Sequence, residues 1–252
     1  EVAMSEIDQQ LMNFVVNNPK INFHSTIFNS DNHLSLTKFG KVIQIAGSTR
    51  SNIFEMSYGR MLLPSFEHLS ADYRAQIDFA SRRIDIRHFQ LGGRKNSKGV
   101  LEAKLMKPMV LSWEQADIEA PDSTLMVSLT DVDAAELQPL LGRYVRKGRA
   151  NLMLKIVSEK AGRQIGYDLS GDGVGLTVPL AARDIAVGNM IIKSEGKLVD
   201  FNELNVSSLK AQLGDEADPV LSVSWPFQLD FKKKSISGKL DTSGQLPVLL
   251  AW

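Results

Sequence analysis

The stretch from Thr124 to Gly173 constrains the fold of this chain more than any other. Leu125, Val127 and Leu129 alternate with Met126, Ser128 and Thr130. A period of two is the signature of a strand with one face on apolar atoms and one on water. A short helix is expected next. Asp131 or Asp133 is placed to accept the free amide protons at its start, and Glu136 lies in its first turn. Leu137, Leu140, Leu141, Tyr144 and Val145 recur at helical spacing. Arg143, Arg146 and Lys147 crowd the last turn, Gly148 suits a left-handed stop, and Pro139 falls early enough for a first turn. Two more alternating strands follow. Ala150, Leu152, Leu154 and Ile156 share one face, and Ile165, Tyr167 and Leu169 share another. The polar linker from Ser158 to Arg163 contains Gly162 and reads as a hairpin turn.

A chain of 252 residues is long enough for one large β domain or two ordinary ones. Lysine plus arginine balances aspartate plus glutamate at 29 each, so no basic field points to nucleic acid as a partner. With no cysteine, disulfides, cysteine–zinc sites and thiol catalysis are excluded. No apolar run approaches the roughly 18–20 residues that span a bilayer, and no secretory signal pattern is present. The chain begins at Glu1 and ends at Leu250-Ala251-Trp252. The expectation is an excerpt of something longer, or a processed product.

Residues 1–18 read as an amphipathic helix. Met4, Ile7, Leu11, Phe14 and Val15 form its stripe, and Asn17, Asn18 and Pro19 stop it. Such a helix packs on a sheet or covers a binding groove. Residues 19–252 read as a single curled antiparallel β domain, with an optional sub-boundary near 114–123. Tyr73, Ala75, Ile77 and Phe79 face one way there, and Asp72, Arg74, Gln76 and Asp78 the other. Leu176 and Val178 begin a strand that Pro179 is expected to break. Leu221, Val223 and Trp225 alternate with serines. An apolar residue is followed by others five and seven positions later in Ile84, Phe89, Leu91; in Ile185, Met190, Ile192; and in Val199, Leu204, Val206. This suggests stacked hairpins of similar build. Many alternating strands with no βαβ rhythm favour an antiparallel fold.

Signatures of catalysis and cofactor binding are sparse. Gly171, Gly173 and Gly175 space as GxGxG, but strand-like residues follow where a dinucleotide site needs a helix, so a β-turn is expected. Asp168, Ser170, Asp172 and Gly173 resemble the start of a calcium loop whose twelfth position is Pro179 instead of a carboxylate. His24, His33, His68 and His88 lack ligand spacing. Lys232-Lys233-Lys234 reads as a solvated edge, with anionic lipid headgroups as a lesser reading. No cofactor and no metal are expected.

The order SLTDVDAAELQPLL…GRANLMLKI, carried by Leu129, Asp131, Val132, Asp133, Leu137, Pro139, Leu140 and Leu141 and then Gly148, Leu152, Leu154 and Ile156, resembles the C-terminal region of AsmA-like proteins. That group includes the TamB-type and YhdP-type proteins. The resemblance covers about 50 residues in detail. It implies a long curled β sheet with an apolar trough, located in the periplasm. The chain would be anchored to the inner membrane by a segment outside it, and would work in outer-membrane lipid transport or assembly. It implies no catalytic residues.

Together these readings predict a mainly β protein: a long curled antiparallel sheet, as an open groove or half-barrel, with one or two short helices. The expected function is non-enzymatic binding or conduction of phospholipid acyl chains. The residues expected to line the groove are Leu152, Leu154, Ile156, Ile165, Tyr167 and Leu169, with Tyr73, Ile77, Phe79, Leu221, Val223 and Trp225 behind them. Envelope membrane proteins are further expected partners. The alternative is a lipid-free β-sandwich scaffold for protein interaction in the envelope. A hydrolase using His88 with Asp85 or Asp72 is a third reading.

Overall fold

The computed structural model describes residues 2–59, 61–112, 121–137, 147–180, 183–214 and 219–245. The protein is mainly β, and its antiparallel sheet does not close. In chain order the elements are β1 (Val2–Ile7), α1 (Gln9–Val16), β2 (Ile21–Phe23), β3 (Phe28–Thr37), β4 (Val42–Ser51), β5 (Met56–Tyr58), β6 (Met61–Leu62), β7 (His68–Asp78), β8 (Arg83–Lys95), β9 (Lys98–Lys107) and β10 (Met109–Ser112). They continue as β11 (Ser123–Asp133), β12 (Lys147–Glu159), β13 (Gln164–Leu180), β14 (Arg183–Val199), β15 (Glu203–Gly214), β16 (Pro219–Ser224), β17 (Phe227–Asp230), β18 (Ser235–Gly238) and β19 (Asp241–Gly244). Two compact units result. One comprises residues 1–127 with 160–162, the other 128–159 with 163–252. The division falls inside β11, beyond the polar connection at 114–123. Among the described residues, no helix is long and apolar enough to cross a membrane.

In the first unit the strand order is β1-β3-β4-β7-β8-β9, with β10 on the lower half of β8. The helix expected over 1–18 is confined to Gln9–Val16, because Val2–Ile7 pairs with β3 as an edge strand. An edge offers unpaired amides, and pairing there satisfies the backbone of residues 2–7 as well as a helix would. The helix ends on Asn17, at φ 44°, in the left-handed stop. Asn13 ties it to β2 by accepting the Phe23 amide (2.9 Å). A small sheet, β2-β5-β6, carries an aromatic cluster. Phe23, Phe28 and Phe54 meet edge to face at 6.1–6.4 Å, and Phe66 joins through Phe54.

In the second unit the order is β12-β13-β14-β15-β16-β19, with β17 on the lower half of β15 and β18 beside it. A short 3₁₀ turn, Ala134–Leu137, follows β11, and Asp133 accepts the Ala135 amide at its start (2.9 Å). The remainder of the helix expected there, including Pro139 to Val145, lies outside the described residues. Pro179 does not break its strand: β13 runs to Leu180, with Pro179 opposite Asp184. Gly171 and Gly173 form no turn. They lie in the middle of β13, so the calcium-like run is extended backbone, with Asp172 accepting from Asn151 (2.8 Å).

Candidate functional site

Antiparallel register places directly paired residues on the same face. In the second unit this gathers the apolar positions of six strands onto one side. Leu154 stands opposite Leu169, Ile156 opposite Tyr167, Leu152 opposite Gly171 and Ser158 opposite Ile165. The next pairing adds Leu198 beside Ile165 and Ile192 beside Gly171. Beyond it, β15 contributes Leu204, Val206, Leu209, Ala211 and Leu213. Leu221 and Val223 of β16, and Phe227 and Leu229 of β17, complete the face. The reverse side carries Lys155, Glu159, Asp168, Lys193, Glu195, Lys197 and Lys210 at the alternate positions. There Lys197 binds Glu159 (2.5 Å), over a shallow polar depression of about 520 Å³ around Gly166.

All six residues first expected to line a trough are therefore on one face, and all six are half-buried. Leu221 and Val223 join them. Among the described residues of this unit, the fully buried apolar side chains are only Val132, Ala134, Leu176 and Val206.

Glycines shape the face. A Cβ on Gly196 would lie 2.6 Å from the Tyr167 ring, and one on Gly171 would lie 2.5 Å from Leu152. The large side chain thus lies flat over its bare neighbour, and the Tyr167 hydroxyl reaches Ser194 Oγ (3.1 Å). Tyr167 gives an otherwise apolar surface one polar tip.

Trp225 lies just past the end of β16 and is 37% exposed; its amide donates to the Leu209 carbonyl (2.8 Å), which continues the β15–β16 register, and its ring lies 4.9 Å from that of Phe227, so it borders the same face. The other expected residues fall in the first unit. Phe79 lies just past the end of β7, where its amide donates to the Lys41 carbonyl (2.9 Å), and is 51% exposed. Ile77 is in the sheet of the first unit, between Ile43 and Ile84. Tyr73, also in the first unit, belongs to a polar network. Its hydroxyl donates to Asn32 Oδ1 (2.6 Å) and lies 3.1 Å from Thr49 Oγ1, while Asn32 Nδ2 donates to buried Ser30 (2.5 Å). This part-buried network fixes the tip of Tyr73 beside Asn32 and Thr49. Leu198, Leu209, Leu213 and Phe227 also lie on the apolar face of the second unit without having stood out in the sequence, and Ile192 stood out only in the five-and-seven echo. Their alternation is interrupted by Ser194, Gly196 and a bulge at Ser207.

No acid–base constellation is assembled from the expected dyad. Asp85 is held by Arg83 Nε (2.6 Å), and His88 is exposed opposite Arg74. His24 bonds Ser57 Oγ (3.0 Å). Among the described residues no group of three or more His, Asp or Glu is placed to hold a metal. Comparison with protein-family models, curated proteins and solved structures finds no match. The functional reading therefore rests on the two-faced sheet and on the resemblance of its central stretch.

Proposed function

We propose that the apolar face of the second unit holds phospholipid acyl chains, and that the protein is a non-enzymatic lipid-binding or lipid-conducting module of a bacterial envelope. The observation that carries this is the registered face itself. Leu152, Leu154, Ile156, Ile165, Tyr167 and Leu169 continue without a charged residue into β14, β15 and β16, and remain half-buried. The resemblance of the same stretch to AsmA-like proteins supports a periplasmic setting and a role in outer-membrane lipid transport or assembly.

Burial of a methylene is favourable by about 0.8 kcal/mol. A chain laid on an open face is covered on one side, so about a dozen methylenes contribute roughly 5 kcal/mol. That corresponds to roughly sub-millimolar affinity. It is also non-directional, so a chain can slide along the face, as conduction requires.

Organic extraction of the purified full chain, followed by mass spectrometry, tests the proposal. Retained glycerophospholipid is expected. The Leu154→Asp, Leu169→Asp double variant places two carboxylates at one cross-strand pair. It is expected to keep its β circular dichroism and a cooperative melt while retaining at least about tenfold less lipid, the factor that 1.4 kcal/mol of lost affinity gives. A lipid-free wild type, together with a double variant that fails to fold, would instead mark the face as an ordinary core of a scaffold.

A further inference from the structure

The hairpin ends of the two units share an arrangement that neither the apolar face nor the resemblance explains. In the first unit, the turn from Thr37 to Gly40 is closed by the Gly40 amide on the Thr37 carbonyl (3.1 Å), with Lys38 and Phe39 both at positive φ (50° and 56°). In the second, the turn from Val199 to Asn202 is closed the same way (3.0 Å), with Asp200 and Phe201 at 49° and 56°. These are type I′ turns, which select Asn, Asp or Gly at both central positions. A phenylalanine there is strained and must gain something from its position. Burial is not the gain, for Phe39 is fully exposed and Phe201 is 64% exposed.

Beside each lies a second aromatic turn. The Phe79 amide donates to the Lys41 carbonyl (2.9 Å), and the Phe231 amide to the Asn202 carbonyl (2.8 Å). Phe79 and Phe231 are themselves about half exposed, at 51% and 47%. Each follows an aspartate whose carboxylate is occupied by its own turn. Asp78 accepts the Ala80 and Ser81 amides, and Asp230 accepts the Lys233 amide and pairs with its ammonium. The charges around the phenylalanines are Lys38, Lys41 and Arg82 with Asp78 in one unit, and Lys232, Lys233 and Lys234 with Asp230 and Asp200 in the other, where Asp230 pairs with Lys233 and Asp200 with Arg163.

Exposed aromatics framed by cations match the boundary between the headgroups and acyl chains of an anionic bilayer. We propose that these hairpin ends dock the protein on an anionic phospholipid surface. In each unit taken by itself, the two phenylalanines enter the boundary layer and the neighbouring lysines meet the phosphates. The positive charge of Lys38, Lys41, Lys232 and Lys234 favours this occupant over an apolar protein groove. The proposal stands independently of the acyl-chain reading, because it uses none of the sheet-face residues.

Co-sedimentation of the full chain with vesicles tests it. Vesicles of phosphatidylglycerol and phosphatidylcholine are expected to bind at least about tenfold more protein than phosphatidylcholine alone, a difference within the reach of a few added cationic contacts. The variant Phe39→Asn, Phe201→Asn, Phe79→Ser, Phe231→Ser is expected to bind at least about tenfold less. Its thermal midpoint should hold or rise, since asparagine suits the I′ positions. Lys38→Glu, Lys41→Glu, Lys232→Glu, Lys234→Glu should abolish the preference for anionic vesicles. Leu154→Asp, Leu169→Asp should leave vesicle binding intact, which separates the turns from the sheet face. Equal binding to both vesicle types, no binding, or an asparagine–serine variant that melts normally and still binds would overturn the proposal.

Discussion

Asp78 and Asp230 show how much a single side chain does at these turns. The Ser81 amide, then the Ala80 amide, hold the Asp78 carboxyl below the usual carboxylate range. The Lys233 amide, then its ammonium, do the same for Asp230. A carboxyl lowered on folding contributes stability above its unfolded pKa, about 3.9, and loses it as pH falls through the folded value. Asp78→Asn keeps an oxygen for the two amides and removes the charge. The difference in thermal midpoint between wild type and Asp78→Asn should therefore be constant near neutrality and shrink as pH drops below about 4. Carboxyl-carbon NMR should place both midpoints below the ordinary value, and a normal midpoint at either would refute the turn assignment. The sequence supplied the Asp-Phe pairs but not their geometry. Tyr73, Ile77 and Phe79 alternate cleanly in the chain, yet the strand ends at Asp78 and its last apolar member turns out into solvent. Trp225 keeps the alternation of Leu221 and Val223 one residue past β16, through its amide on the Leu209 carbonyl, before Pro226 redirects the backbone.

Bulges are what the strand pattern concealed. Ile84, Ile86, Phe89 and Leu91 keep one face only because Arg87 is an extra residue opposite the Arg74–Ala75 step. Leu204, Val206, Leu209 and Ala211 repeat that spacing, with Ser207 as the extra residue. The echo at five and seven positions is thus partly a bulge signature. In Val199, Leu204, Val206 it instead crosses a turn, and Val199 pairs with Glu203 on the other face. A period of two cannot show an inserted residue, so the strands were legible and their registers were not. Register also assigns different roles to two glycines of adjacent strands. A Cβ at Gly196 would meet the Tyr167 ring at 2.6 Å and the Asn205 carbonyl at 2.7 Å, whereas one at Gly166 meets nothing closer than 3.9 Å. Gly196→Ala should cost about 1–3 kcal/mol, because the carbonyl is backbone and cannot swing away. Gly166→Ala should be neutral or gain up to about 1 kcal/mol by restricting the unfolded chain. Urea unfolding measures both, and equal effects would contradict the placement of Tyr167 over Gly196.

At the scale of the molecule, fold class was the most legible property, since a two-residue period over many short segments admits few alternatives to an antiparallel sheet. The division into two units runs through β11, just past the optional sub-boundary near 114–123, with no change of composition to mark its position. Charge behaves in the opposite way. The whole chain balances 29 cations against 29 anions, so its net charge predicts no attraction to any surface. Any such attraction must come from local clustering. At the turns of the first unit, Lys38, Lys41 and Arg82 outnumber Asp78, and beside Phe231 three lysines follow Asp230. Fields from clusters this small reach about one Debye length, about 8 Å at physiological ionic strength and about 3 Å at 1 M salt. Binding through the turns should therefore collapse between about 0.1 M and 1 M sodium chloride. Hydrocarbon held on the sheet face has no such dependence, because its driving force is release of water from apolar area. Protein washed in 1 M salt should leave anionic vesicles yet keep its extractable phospholipid. If the two are lost together, retained lipid is only membrane carried along by the turns. If neither is lost, the turns are not an electrostatic contact.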